Sequence, residues 1–299
     1  MVTAMSEAPS VSVIVPHYDD LARLDLCLAA LGRQTYPADD LEIIVSDNAS
    51  PCGHAAVEAA IAGRARLAVT ASPGAGAARN GGVAFARGQI LAFTDCDCQP
   101  EPDWLVKGLA ALEGYDFVGG AMKVLVNDPA SLTSAEAFER VFAFDNAAYV
   151  KRKGFTVTAN LFCRRAVFEA VGGFLVGVPE DVEWSHRARA AGYRIGYAPD
   201  AVVGHPARRS WAELTTKWQR LNTEQFGLIK DRPFGRWLWL ARNALLPVSA
   251  LAHTPKVMRS AQVSSLKQRL GALGMLYRMR LWRLADAAQL VAGGGRRGQ

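Results

Sequence analysis

The sequence predicts an α/β protein, with a mostly parallel central sheet covered by helices on both faces and a basic helical tail after it. Three observations carry the prediction. Over the first two hundred residues, short apolar runs alternate with helix-like periodic segments in the manner of stacked β-α units. One of those runs, Ile90-Leu91-Ala92-Phe93-Thr94, has the length of a buried strand and ends directly in Asp95-Cys96-Asp97-Cys98. Charge is divided along the chain: from Pro206 onward seventeen Lys/Arg face four Asp/Glu, whereas the whole chain nets +6, so the first 205 residues are acidic overall.

The elements follow in order. Val11 to Pro16 reads as the first strand, and Leu21, Leu24, Leu28 and Leu31 recur at spacings of three, four and three, one face of a helix. Leu41 to Ser46 is the second strand, a helical stretch runs from about Ala55 to Ala62, and a third strand lies near Leu67 to Thr70. The glycine-rich turn Gly74-Ala75-Gly76 opens a helix to about Ala86, and the fourth strand ends in the aspartates. Beyond Pro102 the pattern gives a helix near 104–112, a strand near 117–124, a helix from about Ser134 to Tyr149, and an extended stretch from Phe155 to Cys163. A helix carrying Glu183, His186 and Arg187 on its polar side then leads through Gly192 into two short strands, 193–197 and 201–204.

Composition excludes several classes. Half of the 299 residues are hydrophobic, which suits a sizeable core and argues against a disordered chain. Five cysteines with no Cys-x-x-Cys pair suggest neither a disulfide framework nor a four-thiolate zinc site. The first ten residues hold Glu7 and no basic stretch before an apolar run, so the expected location is the cytoplasm.

In open α/β sheets ligands collect outside the carboxyl ends of the strands, and two aspartates there can hold a hard divalent cation. Asp95 and Asp97 stand two positions apart, about 6.6 Å along an extended chain at 3.3 Å per residue, so the loop must turn for both to share an ion, or one must act through water. The alternative is a solvated acidic turn. Gly74 to Arg79 also has the look of a dinucleotide fingerprint, but the third glycine is missing and the turn follows the third strand rather than the first.

Six motifs occur in one order: Val13-Ile14-Val15-Pro16-x-Tyr18, Gln34-Thr35-Tyr36-Pro37, Glu42-Ile43-Ile44-Val45-x-Asp47, Ala78-Arg79-Asn80-x-Gly82, Phe93-Thr94-Asp95-x-Asp97 and Glu180-Asp181. Together they resemble a family 2 glycosyltransferase of the GT-A fold, a Rossmann-like sheet, over roughly residues 10 to 205. The resemblance implies a donor site for a nucleotide-diphosphate sugar, with a UDP-sugar favoured, built from Pro16, Tyr18, Asp47, Arg79 and Asp95. Tyr18 would stack on the base, Asp47 would accept a hydrogen bond from base or ribose, and Arg79 would reach the diphosphate. Mn²⁺ or Mg²⁺ would be held by Asp97, Asp95 and His205. The catalytic pair would be Glu180 and Asp181, with Asp181 as the base, and Asn160 and Trp184 would shape the acceptor pocket. Packing, capping or salt-bridge roles stand open beside each of these. Inversion at the anomeric carbon and transfer of a hexosyl or N-acetylhexosaminyl group to a polysaccharide or lipid-linked acceptor follow from the same resemblance.

On this reading 1–9 is a disordered N-terminus, 10–101 the donor half and 102–205 the acceptor half of a catalytic domain, 206–292 a basic amphipathic membrane-associating region, and 293–299 a flexible end. Trp237 to Ala252 is apolar but interrupted by Arg242, Asn243 and Pro247, too short to span a bilayer. Leu266, Leu270, Leu273, Tyr277, Leu281, Leu284 and Ala288 recur at helical spacing among Lys267, Arg269, Arg278 and Arg283, a basic amphipathic helix. Such a helix suits the anionic cytoplasmic face of a membrane, or else packs on the acidic body; no nucleic-acid motif accompanies the charge. Two rivals share the sheet. A nucleotidyltransferase would want a basic triphosphate loop where this chain has His17-Tyr18-Asp19-Asp20, and a non-catalytic scaffold would lose carboxylates that are all present here.

Overall fold

A computed structural model describes residues 10–293. The expected loose ends, 1–9 and the chain beyond Gly293, lie outside the described residues. The chain forms two compact units. The first runs to Lys123 and takes in Asp145–His205; the second is Val124–Phe144 with the chain from Pro206 onward. Residues 124–144, which the sequence grouped with the first 205, therefore cluster with the C-terminal region.

In the first unit β1 (Val11–His17), α1 (Leu21–Leu31), β2 (Leu41–Asp47), α2 (His54–Ile61), β3 (Arg66–Val69), α3 (Ala75–Phe85) and β4 (Ile90–Phe93) alternate as predicted. β1 pairs in parallel with β2 and β4, and β2 with β3. Every residue of β1 is buried, as expected of a central strand covered on both faces. Its period of two divides the core: Val11, Val13 and Val15 pack with Leu24, Cys27 and Leu28 of α1, while Ile14 packs with Val83 and Phe93 on the opposite face. Pro16 sits beyond the last β1–β4 pair, Ile14↔Phe93, where a missing N–H costs that ladder nothing.

The remaining strands add an antiparallel half. β5 (Gln99–Pro100), α4 (Trp104–Leu112), β6 (Phe117–Leu125), β7 (Leu161–Arg164), and β8 (Ile195–Pro206) complete the order β3-β2-β1-β4-β7-β6-β8-β5. The sheet is thus parallel from β3 to β4 and antiparallel at the β4–β7, β6–β7 and β5–β8 ladders. Four details differ from the sequence reading. The two short strands near 193–204 are one strand, and Pro199 falls outside the short β5–β8 ladder, which pairs only Val203 and Gly204, so its missing N–H costs that ladder nothing. Only the end of the extended 155–163 stretch is a strand, since 158–160 is a 3₁₀ turn. A helix at Arg165–Val171 was not anticipated. The long helix from Ser134 stops at Phe142, and Asp145 caps a new turn, Asn146–Ala148, by accepting from the Ala148 N–H before a five-residue π segment, Tyr149–Lys153.

The second unit is helical. We number its helices after α5 (Ser134–Phe142), α6 (Asn146–Ala148), α7 (Arg165–Val171) and α8 (Glu180–Ala190): α9 (Trp211–Gly227), α10 (Gly235–Ala244), α11 (Leu246–Arg259) and α12 (Leu266–Val291). Phe138 and Val141 of α5, Leu214 of α9, Val257 of α11, and Leu276 and Met279 of α12 share one core. Glu139 is buried there between Arg208 and Lys217, at 3.2 and 3.1 Å. The face of α12 that packs is Ala272, Met275, Leu276, Met279 and Ala287, whereas Leu266, Leu270 and Leu281 of the predicted stripe are exposed. Leucines lie on both sides of this helix, and the small and flexible residues give the closer packing. Among the described residues no helix is long and apolar enough to cross a membrane.

Candidate active site

Because β1, β2 and β4 run parallel, their carboxyl ends open on one edge of the sheet, and the segments after them carry Tyr18, Asp47 and the Asp95–Asp97 loop. The loop does turn: Asp95, Asp97 and Cys98 bring ligand atoms within 4.8 Å of one another. His205 joins them from the far end of the sheet. The β5–β8 ladder pairs Gln99 with Gly204, and the next residue outward places the His205 Nε2 3.5 Å from the Asp97 carboxylate. Two carboxylates and an imidazole suit a divalent cation such as Mn²⁺ or Mg²⁺, so the chemistry of the donor set fits the metal implied by the sequence. Cys98 was not foreseen; it is fully buried, its sulfur lies 3.7 Å from the Asp97 carboxylate, and burial followed by the charges of Asp97 and Asp95 pushes its pKa up.

Arg79 is where the structure departs most from expectation. Its side chain is 3% exposed rather than open to a diphosphate. One η nitrogen donates to Asp95 at 2.6 Å and the other to Glu180 at 2.7 Å, so the guanidinium ties the end of β4 to the start of α8. Burial alone would lower its pKa, but the two carboxylates outweigh that and hold it charged. The close seating of α3 makes this reach possible: a Cβ on Gly82 would lie 2.6 Å from the Ile14 side chain. Asn80, next in the same motif, grips the backbone of Phe174 through both its amide atoms at 2.8 Å. Arg79 and Asn80 together therefore fix the segment that leads into α8.

Asp181 opens α8 beside Glu180, and its Oδ1 accepts from the Val182 N–H at 2.8 Å. Burial, reinforced by the neighbouring Glu180 charge, pushes its pKa up to about 6. The Arg79 guanidinium thus pairs directly with Asp95 and Glu180, and its charge also acts on Asp181 beside them.

Other expected residues take different places. The Asp47 side chain is fully buried, and its oxygens engage the His17 ring at 3.0 Å, the Ser50 hydroxyl and N–H, and His54 at 3.3 Å. Burial raises its pKa, but the Ser50 and His17 hydrogen bonds prevail and hold it below the usual carboxylate range. Asp47 thus fastens the 47–54 loop to the end of β1, and a bond to a ligand would have to displace one of these partners. Tyr18, one residue beyond His17, is 59% exposed and presents its ring at the sheet edge. Asn160 and Trp184 do not line a pocket. Both are fully buried: Asn160 accepts from Trp104 and donates to the Ala121 and Ala201 carbonyls, and Trp184 donates to the Gly172 carbonyl within a cluster of phenylalanines. Trp184 is framework because its ring fills the core face of α8, a placement its sequence spacing alone did not distinguish from a pocket wall.

The comparisons with known proteins agree in kind. The profile described as "Glycosyl transferase family 2" matches residues 12–172. Glycosyltransferase AglE of Haloferax volcanii is 35% identical over 83% of this chain and 80% of its own length. The probable glycosyltransferase YdaM of Bacillus subtilis is 28% identical over 76% of this chain, which spans 58% of that relative. Among solved structures, mannosyltransferase PcManGT of Pyrobaculum calidifontis, in complex with GDP-Man and Mn²⁺, shares the fold with a TM-score of 0.61 at 24% identity, over 97% of this chain and 88% of that one.

Proposed function

Since this chain belongs to glycosyl transferase family 2 and is a glycosyltransferase, we propose that it moves a hexosyl or N-acetylhexosaminyl unit from a nucleotide-diphosphate sugar, with a UDP-sugar favoured, to a polysaccharide or lipid-linked acceptor. The observation that carries the reading is the Arg79 clamp, which ties Asp95 of the acidic pair after β4 to Glu180 of the acidic pair of α8 through one guanidinium. Asp97, Asp95 and His205 would hold a divalent cation. When bound, that cation supplies positive charge to the departing nucleoside diphosphate.

The chain's own residues do the rest. Tyr18 offers an exposed ring on which a base stacks. Asp181, with a pKa of about 6, is ionised at neutral pH yet basic enough to take the acceptor hydroxyl's proton as the new bond forms. The acceptor oxygen attacks the anomeric carbon, the bond to the diphosphate breaks on the opposite side, and the proton passes to Asp181. A single displacement of this kind inverts the anomeric centre. Glu180 keeps Arg79 in place and raises Asp181's proton affinity. The experiment is a pair of variants followed by donor binding and transfer. Asp97→Asn weakens Mn²⁺-linked donor binding, whereas Asp181→Asn abolishes transfer and leaves donor binding intact. Equal donor-binding losses would overturn this division of roles.

The work is done, on this reading, at the anionic cytoplasmic face of a membrane. Support comes from the surface of α10 and α11, where Phe234, Trp237, Leu238, Leu245, Val248 and Leu251 are each more than 60% exposed. Water-soluble surfaces rarely gather large apolar side chains so densely. Phe234 holds a left-handed backbone, φ 57°, unusual for a non-glycine residue, and projects its ring at 82% exposure. Arg236, Arg242, Lys256 and Arg259 are exposed on the same two helices, the cations an anionic headgroup layer attracts.

A further inference from the structure

Away from the acidic centre, a cleft of about 600 Å³ opens in the first unit among Lys151, Arg152, Arg189, Tyr115 and Tyr197. Its walls come from three elements and, at Tyr115, from the turn before β6. Lys151 and Arg152 belong to the π segment, a helical irregularity frequent at functional sites. Arg189 comes from the last turn of α8, and Tyr197 from β8. The floor is backbone. At buried Gly154, which ends the π segment at φ 70°, a Cβ would run into the Arg189 guanidinium, and at buried Gly196 it would run into the Tyr115 ring. The two glycines thus let a cation and an aromatic ring lie flat against the chain. The His186 ring meets the Lys153 carbonyl at 2.9 Å and secures the segment to α8.

No lining residue is acidic. Among the described residues, none of Lys151, Arg152 and Arg189 forms an ion pair, although Lys151 lies over the Tyr197 ring at 5.4 Å. The carboxylates that bear on the cleft are Asp145 and Asp200, which act on Tyr197. Three unpaired cations converging on one hollow repel one another, and an anion seated between them removes that repulsion and gains charge-assisted hydrogen bonds. The tyrosine rings add flat faces with a polar edge, the surface on which a sugar ring lies. The cleft also shares an element with the base. Asp181 is the second residue of α8 and Arg189 the last but one, a span of about 12 Å at 1.5 Å per residue. A short oligosaccharide covers that distance.

We propose that this cleft is an acceptor subsite for the carboxylate- or phosphate-bearing unit of an acidic saccharide, whose reacting hydroxyl lies at Asp181. The proposal rests on the glycosyltransferase reading above. Calorimetry on the full chain tests it with four probes: tetragalacturonate, mannose 6-phosphate, maltotetraose and inorganic phosphate. At least one acidic saccharide is expected to bind tenfold or more tightly than maltotetraose, with tetragalacturonate assigning a carboxylate and mannose 6-phosphate a phosphate. Lys151→Gln combined with Arg189→Gln should weaken that binding at least tenfold, Arg189→Lys should weaken it less than Arg189→Gln, and UDP or GDP binding with Mn²⁺ should be unchanged in all three. Binding untouched by the double variant, equal binding of maltotetraose, or inorganic phosphate binding as tightly as either acidic saccharide would overturn the subsite while leaving the donor site standing. Failure of the wild-type protein to bind any nucleoside diphosphate would instead remove the donor reading on which the subsite rests.

Discussion

Arg79 and Asp181 set the chemistry of the site through opposite responses to burial. The guanidinium stays charged because Asp95 and Glu180 flank it, and each carboxylate stays in place because the guanidinium does. Arg79→Ala leaves two partly buried carboxylates facing each other across an empty position, so it should cost roughly 3 kcal/mol of stability, read as a lowered midpoint in urea. A cost below about 0.5 kcal/mol would mean that the clamp contributes nothing. Asp181 responds the other way. Its folded pKa of about 6 lies above the ordinary 3.8, so the native state binds more protons than the unfolded chain between those values. Its contribution to stability therefore falls as pH rises through that window. Asp181→Asn is expected to be more stable than wild type at pH 7.5 by on the order of 1–3 kcal/mol, and no different near pH 3. In the wild type, kcat/KM should decline below about pH 6 as the base protonates. A profile flat to pH 4.5 would remove Asp181 from that role.

The acidic residues after β4 and at the start of α8 were singled out by the resemblance of six ordered motifs, since each alone also suits a solvated turn or a helix start. Their partners were not. Arg79 meets Glu180 across 101 positions of chain, and Asp47 meets His17 across 30. Spacing along the sequence holds no record of such meetings. For the same reason the sequence leaves Trp184 and Asn160 open between pocket and packing, and both are fully buried: an amphipathic residue in a helix or a loop looks alike whether it faces a pocket or the core.

At the scale of elements, period and length were the reliable signals. The first four strands and α1 to α3 lie within a residue or two of their predicted positions, since each pairs an apolar run with a clear turn. The antiparallel half was harder to read, and β5, two residues long, was invisible, yet it brings His205 to Asp97. α12 teaches a similar lesson, because its most regular leucine stripe packs only in part: Leu273 and Tyr277 lie against the core, whereas Leu266, Leu270 and Leu281 are exposed. The packed face closes the same core as α5, so removing the chain after Asp231 would open that core rather than report on lipid binding. Point substitutions are the cleaner probe. Trp237→Ser with Leu238→Ser, both on an exposed face, should reduce flotation with anionic liposomes at least tenfold while stability changes by no more than about 0.5 kcal/mol. Undiminished flotation would take the membrane role away from α10.

The whole molecule joins an acidic α/β body to a basic helical unit, and the charge division at about Pro206 announced that boundary. What charge could not announce is that 124–144 belongs with the C-terminal helices, because α5 is recruited by packing rather than by composition. Everything proposed for the body turns on one claim, that the sheet edge binds a nucleotide-diphosphate donor through a divalent cation held at Asp95 and Asp97. Thermal unfolding of the full chain with UDP, GDP and their sugars, with and without Mn²⁺, measures it directly. At a ligand concentration of about 100 Kd, a donor should add roughly 2.7 kcal/mol to the folded state. The account predicts that at least one nucleoside diphosphate raises the midpoint only when Mn²⁺ is present, and that Asp97→Asn loses the rise. Stabilisation by none of them, or an equal rise without metal, would contradict it.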